Sequence, residues 1–323
     1  MTWLVTGGAG YIGAHVVRAL SRAGKTPVVF DDLSTGNRAS VPAGVPFVQG
    51  SVLDAAAVVS TLSGYGVTGV IHLAGARFGG YAAERPLYSY SDNSLGFGQL
   101  LAVLVERGID RIIYASSAAV YGQPTTATVA EDAPCLPNTV YGRSKLIGEW
   151  LLEDVGRQAR LRHTSLRMVN VIGSAVPGIA DHNPYHLLTR VFDDLHSGRR
   201  PRIHGDDFPT PDGTPVRDFV PVVDVAVAFV EAARRLDELE SLEAAYNLGL
   251  GRGVSVRKVM DAIARVTGIP FEPEIAPARA GDAAQVVASS VLAHRDLDWE
   301  PSFSLDGAVA SSWRAYQEVG ARR

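Results

Sequence analysis

Apolar residues in this chain fall into short runs separated by amphipathic stretches, and the two alternate through its first half. TWLVT, Thr2–Thr6, is a compact apolar run bounded by turn residues, the pattern of a buried strand. From Gly10 to Ala23 the apolar positions recur at helical spacing instead. The exchange repeats, with strands predicted at Pro27–Phe30, Pro46–Gln49, Gly69–Leu73, Arg111–Ala115 and Thr164–Met168. Helices are predicted at Asp54–Leu62, Pro86–Arg107 and Thr139–Gln158. Such alternation implies a parallel sheet covered on both faces. Right-handed crossovers make it a doubly wound, Rossmann-type α/β fold.

After Asn170 the rhythm loosens until a helix at Leu187–Ser197. The stretch RIHGDDFPTPDGTPVRDFV, Arg202–Val220, is polar and rich in Pro and Asp, and a loop that long in a compact domain points to function. Helices resume at Asp224–Arg235, Ser255–Thr267 and Leu305–Glu318, with a strand at Ala245–Leu248. The expectation is a nucleotide-binding domain of residues 1–170 plus about 220–268, and a smaller C-terminal substrate-binding lobe of about 171–219 and 269–323.

With 323 residues, 46% apolar and 20% charged, the chain can bury a large core. A net charge of −4 with no long basic run argues against nucleic acid as a partner. Cys135 is the only cysteine, which excludes an internal disulfide. No apolar run reaches about 18 residues, and the N-terminus enters a strand at once. These features predict a cytoplasmic protein with no membrane partner, and no metal site is expected.

The candidate chemistry begins at TGGAGYIG, where Gly7, Gly10 and Gly13 join the first strand to the first helix. Glycines there let the backbone approach a pyrophosphate held at the positive helix N-terminus. A glycine turn alone is also an ordinary strand–helix connection. Asp31 and Asp32 add weight, because they end the second strand where a carboxylate binds the adenosine ribose. Two acids would repel a 2′-phosphate, which favours NAD over NADP. Further on, RIIYASS ends a strand at Ser117, on the side of the sheet where ligands bind. Tyr141 and Lys145 in VYGRSK share one helix face. A nearby ammonium makes a phenol a usable proton acceptor.

These segments, with DDLSTGN, HLAG, Asp92–Asn93, TPDGTPVRDFV and NLGLGRGVSV, resemble the extended short-chain dehydrogenase/reductase family, in its UDP-galactose 4-epimerase branch, over nearly the whole chain. The resemblance implies NAD-dependent epimerisation of a nucleotide sugar through a 4-keto intermediate. Tyr141 is then the base, Lys145 its partner on the nicotinamide ribose, and Ser117 the hydrogen-bond partner of the reacting hydroxyl. It implies NAD contacts from Tyr11, Ile12, Asp31, Asp32, Leu33, Ser34, Thr35, Gly36, Ser51, Val52, Leu73, Ala74, Gly75, Arg77, Asn93 and Val169. It implies substrate contacts from Asn170, His186, His204, Arg217, Phe219, Arg279 and Asp282, with Arg217 and Arg279 on the diphosphate. Relatives dimerise through two long helices per subunit, so a homodimer through Pro86–Arg107 and Thr139–Gln158 is expected.

Departures from the family pattern gather at the substrate side. Arg77 replaces a lysine, Val169 an aromatic, His186 an asparagine, His204 an aromatic and Phe219 a tyrosine, while Ser51 stands where an Asp contacts adenine. Two rivals stay open: a dehydratase, decarboxylase or neighbouring-carbon epimerase on an unusual sugar or nucleoside, and a non-catalytic NAD-binding regulator. Alanines at 118 and 119, where dehydratases carry an acid, weigh against the first. Retention of Ser117, Tyr141 and Lys145 weighs against the second.

Overall fold

The computed structural model describes residues 1–75, 84–279, 281–302 and 304–320. In chain order its first elements are β1 (Thr2–Thr6), α1 (Tyr11–Arg22), β2 (Thr26–Asp31), β3 (Phe47–Gln49), α2 (Ala55–Gly64) and β4 (Gly69–His72). Then come α3 (Pro86–Tyr90), a π-helical turn at Ser91–Leu95, α4 (Gly96–Glu106), β5 (Arg111–Ser117), α5 (Val140–Ala159) and β6 (Arg162–Met168). The remainder holds β7 (Asn170–Ile172), α6 (Leu187–His196), β8 (Arg202–His204), β9 (Val216–Arg217), β10 (Phe219–Pro221), α7 (Val222–Asp237) and β11 (Ala245–Leu248). It ends with β12 (Val254–Ser255), α8 (Val256–Thr267), β13 (Glu274–Ala276), β14 (Gln285–Val286), α9 (Val291–Leu297) and α10 (Leu305–Gly320).

Seven parallel strands form the main sheet in the order β11–β6–β5–β4–β1–β2–β3. Alternation along β1 decides its two faces. Trp3 and Val5 enter one core with α1, α7 and α9, and Leu4 enters the other with α2, α4 and α5. The strand order reverses between β1 and β4, so the helices that follow them leave on opposite faces and open a crevice at the carboxyl edge. Thr6 and His72 face each other at that edge, with Oγ1 and Nδ1 2.8 Å apart.

Two expectations need correction. The helix predicted over Pro86–Arg107 carries a π turn at Ser91–Leu95, which turns the residues after it by about 100° relative to those before it. The turn carries Asn93 inward, where it is 1% exposed. The polar stretch Arg202–Val220 is broken by three strands of two or three residues. Their partners are remote: β8 pairs with β13, β9 with β12 and β14, and β10 with β7. Runs so short have no readable period, and only tertiary pairing creates them.

These small sheets pack with α6, α8 and α10 around Ile172, Phe192, Ile203, Phe219, Met260 and Val309. Asp218, fully buried, ties them to the large sheet by accepting N–H groups of Leu250, Gly251 and Ala288. No helix among the described residues is long and apolar enough to cross a membrane.

Candidate active site

The carboxyl edge opens on a cavity of about 920 Å³. One end is lined by Gly7, Gly10, Tyr11, Ile12, Gly13, Asp31, Asp32, Ser34, Thr35, Ser51, Val52, Leu73, Ala74 and Gly75. Ser117, Tyr141, Lys145, Val169, Asn170, His186 and Arg217 line the other. The sequence therefore named most of the wall. Leu33 and Gly36 lie in the loop behind it, and Arg77 lies outside the described residues.

Close approach explains the glycine turn. Gly7 takes φ 70°, and a Cβ there would stand 2.7 Å from the Ala74 nitrogen. A Cβ on Gly13 would stand 2.2 Å from the Gly7 carbonyl oxygen. The first turn of α1 consequently presses against β1 and brings the positive helix end to the crevice. Asp31 fixes this geometry from β2: it accepts Ala9 N–H at 2.9 Å and Leu33 N–H at 2.8 Å. Leu33 is held at φ 62°, a left-handed conformation that costs on the order of 1 kcal/mol in a non-glycine residue. Asp32 is exposed, and it accepts Ser34 N–H at 2.8 Å. The helix end, the paired acids and a cavity of about 920 Å³ fit a dinucleotide without a 2′-phosphate.

Across the crevice, Leu73–Gly75 forms a strap. Leu73 N–H donates to the Thr6 carbonyl at 3.0 Å, and the Asn93 amide backs Gly75 while donating to Ser144 Oγ at 2.9 Å. Ser117, at the end of β5, hydrogen-bonds Tyr141 on α5. Burial pushes the Tyr141 phenol up to about 12, and the Ser117 bond opposes it. Lys145 donates to the Ala115 carbonyl at 2.9 Å, and its ammonium lies 5.8 Å from the centre of the Tyr141 ring. Burial pulls Lys145 down to about 8, with Glu149 opposing.

The far end is more scattered. Asn170 donates to the Asp218 carbonyl at 3.0 Å, and His186 pairs with Asp181. Arg217 stands 4.0 Å from Asp282. His204 ends β8 and Arg279 lies in the loop after β13, and neither is among the residues lining the large crevice; Nδ1 of His204 is 3.3 Å from the Pro277 carbonyl. Burial and the Arg279 charge hold His204 below the usual imidazole range. Phe219 is 2% exposed and sits in the small-lobe core, beside a second, smaller cavity rather than in the large crevice.

Some wall residues were not anticipated. Tyr88, Asp92, Asp181, His182, Asn183, Pro184 and Tyr185 line the crevice. The loop 181–185 carries no periodicity, so only the fold brings it there. Asp92 did have a signal, its place beside Asn93. Arg190 was missed as well; its charge acts on both His204 and Arg279 from α6.

Parallel strands in this order, with the crevice at the switch point and a glycine turn feeding a helix N-terminus, define a Rossmann-type dinucleotide-binding protein. The chain belongs to the NAD dependent epimerase/dehydratase family, whose profile matches residues 3–249. NAD is the cofactor of this family. The chain is 39% identical to the UDP-glucose 4-epimerase of Azospirillum brasilense, over 96% of this chain and 91% of that one. Among solved structures it is similar to a UDP-glucose-4-epimerase from Stenotrophomonas maltophila with bound NAD and formylated UDP-arabinopyranose. The TM-score is 0.94 at 31% identity, with full coverage of both chains (100% each). The UDP-glucose 4-epimerase of Brucella ovis in complex with NAD gives a TM-score of 0.92 at 35% identity, covering 98% of each chain.

Proposed function

We propose that this chain epimerises nucleotide sugars at C4, by transient oxidation to a 4-keto sugar and reduction from the opposite face. The observation that carries the reading is the convergence of Ser117, Tyr141 and Lys145 at the end of β5, in the crevice that the glycine turn also lines. NAD, when bound, supplies the oxidising and then reducing equivalents. Ser117 aligns the C4 hydroxyl toward Tyr141, which accepts its proton and later returns it. A phenol held at about 12 is almost wholly protonated near neutral pH, so Tyr141 depends on positive charge beside it to reach the phenolate that accepts a proton. Lys145 provides such charge below about pH 8 and would hold the nicotinamide ribose when NAD is bound.

At the other end, Arg217 and Arg279 bind the diphosphate, since a guanidinium fork matches phosphate oxygens. Asn170 and His186 flank the sugar and phosphates, and His204 faces the base, with Asp282 supporting that end and Phe219 packing the small-lobe core behind it. Relatives named for UDP-glucose make UDP-glucose and UDP-galactose the first substrates to try. A dehydration would need an acid beside Ser117, where alanines stand at 118 and 119. The test is turnover of a panel of nucleotide sugars in deuterated water, followed by NMR. C4 inversion gives the epimer with no solvent deuterium on carbon, whereas dehydration or inversion beside the ketone introduces it.

Residues 1–170 with about 220–268 serve as the cofactor domain in this reading, and about 171–219 with 269–323 as the substrate lobe. The same reading includes a homodimer through α3, α4 and α5. Leu87 of α3, Leu95 of the π turn and Trp150 of α5 are 84%, 68% and 56% exposed, apolar surface that a second copy would cover. Light scattering tests it: a dimer that Trp150→Glu dissociates is expected, and a wild-type monomer overturns it.

A further inference from the structure

Three consecutive residues of β5 each hold one residue of α5. The Ala115 carbonyl accepts Lys145 Nζ at 2.9 Å, and Ser117 hydrogen-bonds Tyr141. Between them, the Ser116 hydroxyl donates to the Glu149 carboxylate. Tyr141, Lys145 and Glu149 are spaced by four and form one stripe of the helix. The first two have roles in the proposed reaction, and Glu149 has none.

Glu149 is 9% exposed and Ser116 fully buried. Arg167 of β6, the register partner of Ser116, grips the carboxylate with Nε at 3.0 Å and Nη2 at 2.8 Å. Its Nη1 donates to Tyr121 Oη at 2.8 Å and to the Glu131 carbonyl at 3.0 Å. Burying two charges is costly, and an apolar pair of similar volume commonly holds a fold as well. A pair kept here, one helical turn behind Lys145, calls for another use.

We infer that Glu149, fixed by Arg167 and Ser116, is a positioning residue of the reaction. It keeps the Tyr141–Lys145 face of α5 in register with β5 and sets a negative charge behind the Lys145 ammonium. The inference rests on the roles proposed for Tyr141 and Lys145.

The groups around Lys145 come from four elements. Tyr141 and Glu149 are on its own helix. On β5, the centre of the Tyr114 ring lies 5.0 Å from Nζ. His72 on β4 stays neutral, pulled down to about 3 by burial and by Lys145. Arg167 on β6 lies beyond Glu149, with Tyr121 and Cys135 on its far side. Glu149 is the group that opposes the burial of Lys145. Without that carboxylate the ammonium loses its proton at lower pH. A rate that requires the ammonium then declines at lower pH too.

The test uses the NAD-loaded enzyme and three variants: Glu149→Gln, the double variant Glu149→Gln with Arg167→Met, and Ser116→Ala. The double variant leaves no unpaired buried guanidinium. Its alkaline limb of kcat should move to lower pH by about one unit, the low end of the effect of an adjacent opposite charge. Substrate KM should stay within about 2-fold and bound NAD should be retained. Glu149→Gln should move the limb in the same direction. A double variant with bound NAD and a wild-type kcat profile overturns the inference, as does an effect confined to melting temperature. If the double variant does not fold, Ser116→Ala decides: a lower kcat with a displaced limb supports the inference, and wild-type behaviour overturns it. Failure of wild-type enzyme to turn over any nucleotide sugar removes the parent reading itself, which separates the two failures.

Discussion

The side-chain oxygen of Asn93 lies 2.4 Å from the place a Cβ on Gly75 would occupy, with Gly75 at φ 150°. The strap over the crevice therefore tolerates no side chain at Gly75 without displacing the Asn93 amide. Gly75→Ala should weaken NAD retention by about 10-fold or more, a displacement worth about 1.4 kcal/mol. The NAD released from denatured protein, measured per chain, checks this. Full occupancy would mean that the strap does not shape the cofactor site.

Lys145 gives a pH prediction with a definite sign. Burial places its pKa at about 8, below its ordinary value, so the ammonium is complete near pH 6.5 and lost as pH rises through about 8. The kcat of the NAD-loaded enzyme should fall over that range. A kcat still rising at about pH 9 would mean that the reaction does not need the charge.

Much of this machinery was legible before the fold. Tyr141 and Lys145 could be read because a helix sets their spacing, and Gly7, Gly10 and Gly13 because a turn sets theirs. Both are local constraints. Glu149 was not legible, because its partners Ser116 and Arg167 come from two strands that meet only in the sheet. Arg190 was missed for the same reason, as its relation to His204 and Arg279 exists only once α6 packs over β8. Asp31 was read as a ribose ligand, yet its carboxylate also bonds Ala9 and Leu33 within the loop, a task no spacing could reveal.

Arg217 and Arg279 should act on binding more than on chemistry. Charge-assisted hydrogen bonds contribute about 1.5–3 kcal/mol, so Arg279→Ala should raise the substrate KM by about 10-fold to 100-fold with kcat little changed. Arg217→Ala should behave alike. Steady-state kinetics decides it: equal KM values in wild type and variants would move the diphosphate elsewhere.

Gly148 lets α5 lie close against β5. A Cβ there would stand 2.3 Å from the hydroxyl of Tyr114, a fully buried ring whose hydroxyl has no hydrogen-bond partner among the described residues. Gly148→Ala should destabilise the protein by about 1–3 kcal/mol through overpacking. Adding Tyr114→Phe removes the offending oxygen and should recover part of the loss. Denaturant unfolding of the single and double variants measures both, and additive losses would contradict the contact.

The central claim is that Tyr141 moves the proton of a nucleotide sugar's C4 hydroxyl. The direct measurement is NMR of UDP-glucose, and of the wider nucleotide-sugar panel, with wild-type enzyme and Tyr141→Phe in deuterated water. The account predicts a C4 epimer free of carbon-bound deuterium from wild type, and a rate lower by about 10²–10⁴-fold from a Tyr141→Phe variant that still holds NAD. Deuterium on the sugar carbons, or equal turnover by the folded variant, would contradict it.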